Sequence, residues 1–159
     1  GAEHRYLPLA EELFRHLRQP QVQGITSVIT LIEACIHPQR QGRLDLVRAY
    51  ENSLLHSQQI RMLPIDAALA HRAVILRAAY EIHVPDALQI SAAIESGATL
   101  FVTNDRRLNK IQEVEILLFE ITSNSIRITA GQLHISACLH NLIYARFATS
   151  EKQLQPLTR

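Results

Sequence analysis

The stretch VPDALQISAAIESGATLFVTNDRRL, residues 84–108, contains a helix pattern followed directly by a strand pattern. Pro85 suits the first turn of a helix, and Gly97 stands where the helix would end with a residue of positive φ. An apolar run typical of a buried strand comes next. The stretch therefore predicts a helix–strand unit, with Asp86 at the start of the helix and Asp105 just after the strand.

The same alternation of amphipathic helices and short apolar strands extends over the chain on both sides of this unit. The predicted helices cover residues 8–18, 27–36, 44–58 and 67–80, and the clearest further strands are residues 60–65 and 114–119. Ser27 and Asp66 are placed to cap helices, whereas Pro38 and Gly42 are expected to break the chain. This order predicts an α/β domain with a mostly parallel sheet. The helix after Ser27 is expected to bury Val28, Leu31, Ile32 and Cys35.

Composition limits the classes of protein that the chain can belong to. Its 159 residues, 47% hydrophobic and 19% charged, suit a globular domain with a core. A net charge of +1 gives no general attraction to nucleic acid, so any such contact must be local. Two cysteines, the lack of a signal peptide and the lack of a long apolar run favour a cytoplasmic protein with no membrane contact.

The pattern weakens after Glu120. Apolar residues continue, but without a clear period and without matching start and stop signals for helices or strands. We therefore divide the chain into a domain of residues 1–120 and a C-terminal extension of residues 121–159, whose role the sequence leaves open.

Three acidic residues are expected at one edge of the sheet. Helix starts and the carboxyl ends of parallel strands share that edge, which brings Asp86 and Asp105 there, and Glu33 can reach it from its helix. A group of carboxylates suits a hard cation such as Mg²⁺ or Mn²⁺. Each residue also has a simpler interpretation: Asp86 as a helix cap, Asp105 as a turn residue and Glu33 as a solvated position.

Residues 24–119 resemble a PIN domain, the nuclease fold of the VapC-type toxins. The matching stretches are ITSVITLIEA with Glu33, the stretch of residues 84–108 with Asp86 and Asp105, and the closing strand VEILLF. The segment LPIDAALAHRAVILRAAYEI also resembles the helix that precedes the family's Asp. The resemblance implies a three-layer α/β/α fold with a central, mostly parallel sheet.

The resemblance also implies an activity, a cofactor and partners. In such proteins the acids bind Mg²⁺ or Mn²⁺, which activates water to cut RNA, and here Glu33, Asp86 and Asp105 would be the metal ligands. Thr103 or Asn104 would orient Asp105 or the attacking water. The protein would then be an endoribonuclease toxin of a type II toxin–antitoxin pair, restrained by a cognate antitoxin protein and forming a homodimer.

One part of the family pattern is missing from this chain. The family's first acid lies on an opening strand that is central in the sheet, and no such strand or acid precedes the helix at residues 8–18. We expect either a truncated product or a catalytically inactive PIN-like scaffold that binds a protein or RNA. Loss of a central strand would expose unpaired backbone unless a partner or the tail fills the gap.

Five basic residues lie near the acids in sequence and are candidates for RNA phosphate contacts. They are Arg106, Arg107, Lys110, Arg40 and Arg43. An ordinary solvated surface explains them equally well. A receiver-like or phosphatase-like α/β protein is a weaker alternative, because those proteins need an acid on an early strand.

Overall fold

The structure is a computed structural model that describes residues 11–118 and the backbone of residues 133–137. Residues 11–17 are helical and are named α1. The helices that follow are α2 (Val28–Arg40), α3 (Leu44–Leu55), α4 (Ala67–Tyr80) and α5 (Val84–Glu95). The strands are β1 (Val22–Ser27), β2 (Ile60–Leu63), β3 (Leu100–Thr103), β4 (Glu115–Leu118) and β5 (Leu133–Ala137). A short 3₁₀ helix, Arg106–Lys110, follows β3.

The strands form one sheet in the order β2-β1-β5-β3-β4, and all four strand pairings are parallel. The fold is a three-layer α/β/α arrangement, as predicted. Strand β5 comes from the C-terminal part of the chain and yet lies at the centre of the sheet. Ile135 is in register with Gly24 of β1 on one side and with Leu100 of β3 on the other.

Several local signals in the sequence are confirmed. The Ser27 side chain accepts a hydrogen bond from the amide of Ile29, and the Asp66 side chain accepts one from the amide of Leu69. These side chains therefore satisfy amides at the starts of α2 and α4 that have no partner within the helix. Gly97 follows α5 with a φ of +70°, as a helix C-terminus of this kind requires.

The prediction that Pro38 breaks the chain is wrong, because α2 continues through it to Arg40. A proline this close to a helix C-terminus removes only one amide from the hydrogen-bond ladder. The Pro38 carbonyl accepts hydrogen bonds from the amides of Gln41 and Arg43, which closes the helix end. The reversal of direction comes at Gly42, whose φ is +70°.

The predicted buried face of α2 is wrong at Ile32, while Val28, Leu31 and Cys35 are half-buried. The residues that α2 buries are Thr30, Ala34 and Pro38, whereas Ile32 is 60% exposed. At Thr30 the buried residue is polar because it hydrogen-bonds to Gln89 of α5. The residues that α4 buries are Leu69, Ala73 and Leu76.

The core beside β3 holds the strand and helix α5 in place. Phe101, Ile90 and Leu108 are each at most 1% exposed. Leu108 lies in the 3₁₀ helix, so its burial fixes the segment that carries Asp105 against the end of β3. Within the described residues, no helix is long and apolar enough to cross a membrane.

Candidate functional site

Three elements of the fold converge at the carboxyl edge of the parallel sheet. Helix α2 begins directly after β1, α5 begins at the same edge before its chain returns to β3, and Asp105 follows the end of β3. Ligands of open α/β sheets bind outside this edge. The fold brings Asp86 and Asp105 together at this edge, whereas Glu33 lies in the second turn of α2.

Asp86 lies in the first turn of α5, but it is not the residue that caps the helix. The N-cap is His83, and its side chain makes no capping hydrogen bond. Asp86 is half-buried, and within the part of the chain that the structure describes its carboxylate makes no side-chain hydrogen bond. The helix-cap interpretation of Asp86 therefore does not account for its position.

Burial raises the pKa of Asp86, and the charges of Asp105 and Glu33 raise it further. Arg107 and His83 act in the opposite direction. The effect of the two acids places Asp105 and Glu33 within electrostatic range of Asp86. A half-buried carboxylate with two like charges nearby is an environment that a bound cation would stabilise.

Asp105 is paired with Arg107. The Arg107 Nε atom lies 3.0 Å from both carboxylate oxygens of Asp105, and Nη2 lies 2.5 Å from Oδ2. The hydrogen bond from Arg107 is the largest cause that lowers the pKa of Asp105. Asp105 also accepts a hydrogen bond from the Arg107 amide at 2.9 Å, so the residue caps the 3₁₀ helix as well.

Thr103 supports the turn that carries Asp105. Its hydroxyl accepts a hydrogen bond from the Asp105 amide at 3.1 Å, and its side chain is 2% exposed. Thr103 therefore contacts Asp105 through the Asp105 backbone. Asn104 is exposed beside it. Whether either residue orients water stays a prediction.

A small cavity is lined by both Asp86 of α5 and Asp105, which follows β3. It has a volume of about 80 Å³ and is lined by Glu81, Ile82, His83, Asp86, Asp105, Arg107, Leu108 and Lys110. Small-molecule pockets are typically several times larger, about 300 Å³ or more. The cavity is therefore of a size for an ion with its water molecules. Glu33 is not among its lining residues.

The predicted basic residues differ in their surroundings. Arg107 pairs with Asp105 and Lys110 lines the cavity, so both lie at the site. Arg43 instead pairs with Asp45 at 2.8 Å. Arg40 is two helical turns beyond Glu33, about 10 Å further from the sheet edge. The structure thus brings Arg107 and Lys110 to the acids but leaves Arg40 and Arg43 away from them.

Two features of the site could not be predicted from the sequence. One is the contact between Arg107 Nη1 and His83 Nε2 at 3.0 Å, which links the start of α5 to the 3₁₀ helix that follows β3. The other is a buried polar cluster, formed by Thr26, Ser27, Thr30 and Gln89. Uncharged polar residues on a helix are usually solvated, so only the close packing of α2 and α5 could have identified this cluster.

The site as it stands does not present an assembled metal centre. Among residues 11–118, no group of three or more His, Cys, Asp or Glu side chains is arranged to hold a metal ion. Arg107 occupies the Asp105 carboxylate where an ion would bind. The donor chemistry nevertheless fits Mg²⁺ or Mn²⁺, because every candidate ligand is a carboxylate and Asp86 has no hydrogen-bonding partner of its own there.

The family model of the PIN domain matches residues 4–114, and the chain belongs to this family. PIN proteins are generally divalent-metal-dependent nucleases that bind RNA, which supports a ribonuclease-like function. No curated protein and no solved structure matches the chain in the corresponding searches.

Strand β5 comes from the part of the chain that the sequence predicts to be an extension beyond the domain. The strand lies at the centre of the sheet, between β1 and β3. Most of the predicted extension of residues 121–159 lies outside the described residues, but its part at Leu133–Ala137 belongs to the sheet. The tail thus supplies the central strand.

Proposed function

We propose that this protein is a metal-dependent endoribonuclease whose cation binds between Asp86, Asp105 and Glu33. The observation that carries the proposal is the half-buried Asp86 carboxylate, whose pKa is raised by burial and by the charges of Asp105 and Glu33. Three carboxylates at one sheet edge repel one another, and a divalent cation would turn that repulsion into attraction. The family's general dependence on divalent metals supports the same choice of ligand.

A bound Mg²⁺ or Mn²⁺ ion would activate water and offset charge on the scissile phosphate. The chain's own residues do the positioning. Thr103 and the capped 3₁₀ helix fix the turn of Asp105, and α5 holds Asp86 in its first turn. Arg107 acts as the counter-charge of Asp105 until a cation takes its place, and it is then available to pair with an RNA phosphate.

The finer assignment is an endoribonuclease toxin of a type II toxin–antitoxin pair, working in the cytoplasm as a homodimer. It rests on the likeness of ITSVITLIEA and residues 84–108 to VapC-type toxins. Exposed apolar side chains on α2 offer a surface for an antitoxin or a second copy, since Ile32 is 60% and Ile36 is 44% exposed one turn apart. Light scattering of the full chain, with Ile32→Lys as the variant, tests the dimer.

RNA cleavage by the full chain tests the proposed activity. We expect Mn²⁺ or Mg²⁺ to support cleavage of single-stranded RNA, and Asp86→Asn or Asp105→Asn to abolish it. Asp66→Asn is the matched control, because Asn can cap α4 as Asp does and the residue lies at the same sheet edge beside β2. Cleavage that survives both site substitutions would rule out these acids as the metal ligands.

The alternative is a catalytically inactive PIN scaffold that binds a protein or RNA. The observation that favours it is the Arg107–Asp105 pair, which leaves no assembled metal group among residues 11–118. Titration of Mn²⁺ into the chain separates the two functions. Tight binding with RNA turnover supports the nuclease, whereas RNA binding without bound metal supports the scaffold.

A further inference from the structure

A buried polar cluster joins helix α5 to the start of helix α2. Its members are at most 1% exposed and are Thr26, Ser27, Thr30 and Gln89. Gln89 Oε1 accepts hydrogen bonds from the Ser27 hydroxyl at 3.0 Å and from the Ser27 amide at 3.3 Å. Gln89 Nε2 donates to the Thr30 hydroxyl oxygen at 2.6 Å, and that oxygen lies 2.7 Å from the Thr26 hydroxyl oxygen.

The orientation of the Gln89 amide follows from its partners. The backbone amide of Ser27 can only donate, so the atom of Gln89 that faces it must be the carbonyl oxygen. The NH₂ group is then directed at Thr30, whose hydroxyl accepts. A half-turn of the amide would place two donors against each other, so a single arrangement of α5 against α2 satisfies the cluster.

The spacing along both helices ties this cluster to the acids. Thr30 precedes Glu33 by three residues in α2, and Gln89 follows Asp86 by three residues in α5. Residues three apart lie on the same face of a helix. The hydrogen bond between Thr30 and Gln89 therefore lies one turn from Glu33 along α2 and one turn from Asp86 along α5.

We propose that Thr30 and Gln89 are positioning residues that fix the separation of the Glu33 and Asp86 carboxylates. The inference rests on the proposed function, in which both acids bind the cation. Hydrogen bonds are directional, whereas apolar packing tolerates sliding, so a buried amide–hydroxyl bond sets the register of two helices more sharply than a methyl contact does. A buried Gln with polar partners where an apolar residue would pack is consistent with such a role.

A purely structural role is the competing explanation, and a matched control separates the two. Ser91 is also fully buried in α5, but its hydroxyl bonds to the Ala87 carbonyl of the same helix at 2.7 Å. Ser91→Ala therefore removes a buried hydroxyl without affecting the bond between the helices. Thr30→Val removes the hydroxyl and keeps the shape, and Thr30→Ser restores the hydroxyl.

The experiment measures Mn²⁺ affinity of the full chain by calorimetry, together with unfolding in urea. We expect Thr30→Val to weaken Mn²⁺ binding about tenfold, the scale found when groups that orient metal ligands are removed. Thr30→Ser should recover most of the affinity, and Ser91→Ala should bind Mn²⁺ as the wild type does. Wild-type affinity in Thr30→Val, or an equal loss in Ser91→Ala, would overturn the inference. Should Thr30→Val not fold, Gln89→Met makes the same test from the other helix.

Crystal structures without metal keep this inference separate from the proposed function. We expect the Glu33–Asp86 carboxylate separation to change or to spread in Thr30→Val and to keep its wild-type value in Thr30→Ser. An unchanged separation in Thr30→Val contradicts the positioning role, whatever the RNA assay gives. A wild-type chain that binds no Mn²⁺ contradicts the proposed function, while the separation still decides the positioning role.

Discussion

Arg107 binds Asp105 with its guanidinium spread over both carboxylate oxygens, at distances of 2.5–3.0 Å. The same guanidinium contacts His83, so one side chain connects the start of α5 with the turn that follows β3. In the proposed enzyme this arginine occupies the Asp105 carboxylate in the absence of metal. Metal binding at Asp105 would then free the positive charge of Arg107 to pair with an RNA phosphate.

Substitution of Arg107 should strengthen metal binding. Arg107→Gln removes the competing cation from Asp105, and we expect Mn²⁺ affinity to rise about five- to tenfold, about 1–1.4 kcal/mol. The KM for RNA should rise as well, because a phosphate contact is lost. Calorimetry and steady-state cleavage measure the two effects, with the exposed neighbour Arg106→Gln as control. Weaker Mn²⁺ binding in Arg107→Gln would mean that the arginine holds Asp105 in a ligating position instead.

Asp86→Asn should raise the stability of the fold while it abolishes cleavage. Burial and like charges raise the pKa of Asp86 above its ordinary value of 3.8, so the folded chain holds that proton more tightly than the unfolded chain. The free energy of unfolding of the wild type therefore falls as pH rises from 3.8 through the raised pKa of folded Asp86. Asn does not titrate, so the variant keeps this part of its stability. We expect a gain of about 0.5–1 kcal/mol at pH 7, after allowing for solvent screening.

Urea unfolding at pH 4 and at pH 7 checks this expectation. The stability difference between Asp86→Asn and the wild type should be small at pH 4 and should grow toward pH 7. A variant that is less stable than the wild type at pH 7 would show that the Asp86 carboxylate is stabilised by contacts in the fold.

Strand β5 should be essential for the fold, since it pairs with both β1 and β3. Deletion of residues 131–159 would expose the edges of two central strands, so we expect aggregation or loss of cooperative unfolding. Ile135→Pro should cost about 3 kcal/mol or more, because proline removes an amide from a central strand. Deletion of residues 150–159 is the control. A soluble protein that unfolds cooperatively without residues 131–159 would contradict the central position of β5.

Gly24 should not tolerate a side chain. A Cβ atom there would lie 2.9 Å from the Gln59 carbonyl oxygen and 2.9 Å from Leu17 Cδ2. The Gly24 amide donates to that same carbonyl at 2.8 Å, so the backbone cannot move away without losing the bond. We expect Gly24→Ala to lower the free energy of unfolding by about 1–3 kcal/mol. A thermal shift within error of the wild type would contradict this close approach.

The sequence predicted the features that depend on neighbours in the chain. Ser27 caps α2, Gly97 ends α5 and Asp105 follows β3, because caps, C-terminal glycines and apolar runs act over a few residues. The proximity of Asp86 and Asp105 is also predictable, since parallel strands and the helices between them share one edge. The roles of these acids as metal ligands stay predictions.

The features that depend on distant contacts were missed or predicted wrongly. Ile32 was expected inside and Thr30 is inside instead, because the partner of α2 at that point is Gln89 rather than an apolar surface. The sequence indicates the central place of β5 only as one of two ways to fill the place of a central strand, the other being a partner protein. Its pairing joins Ile135 to Gly24 across most of the chain, and no local pattern carries that information.

The most direct measurement of the central claim is Mn²⁺ binding and Mn²⁺-dependent RNA cleavage, followed in one titration of the full chain. The account predicts that cleavage rises with occupancy of the metal site in the wild type and in Asp66→Asn. It predicts that Asp86→Asn and Asp105→Asn lose both the high-affinity binding and the cleavage. Mn²⁺ binding that is unchanged in both variants, or RNA cleavage that persists in EDTA, would contradict a metal site built from these acids.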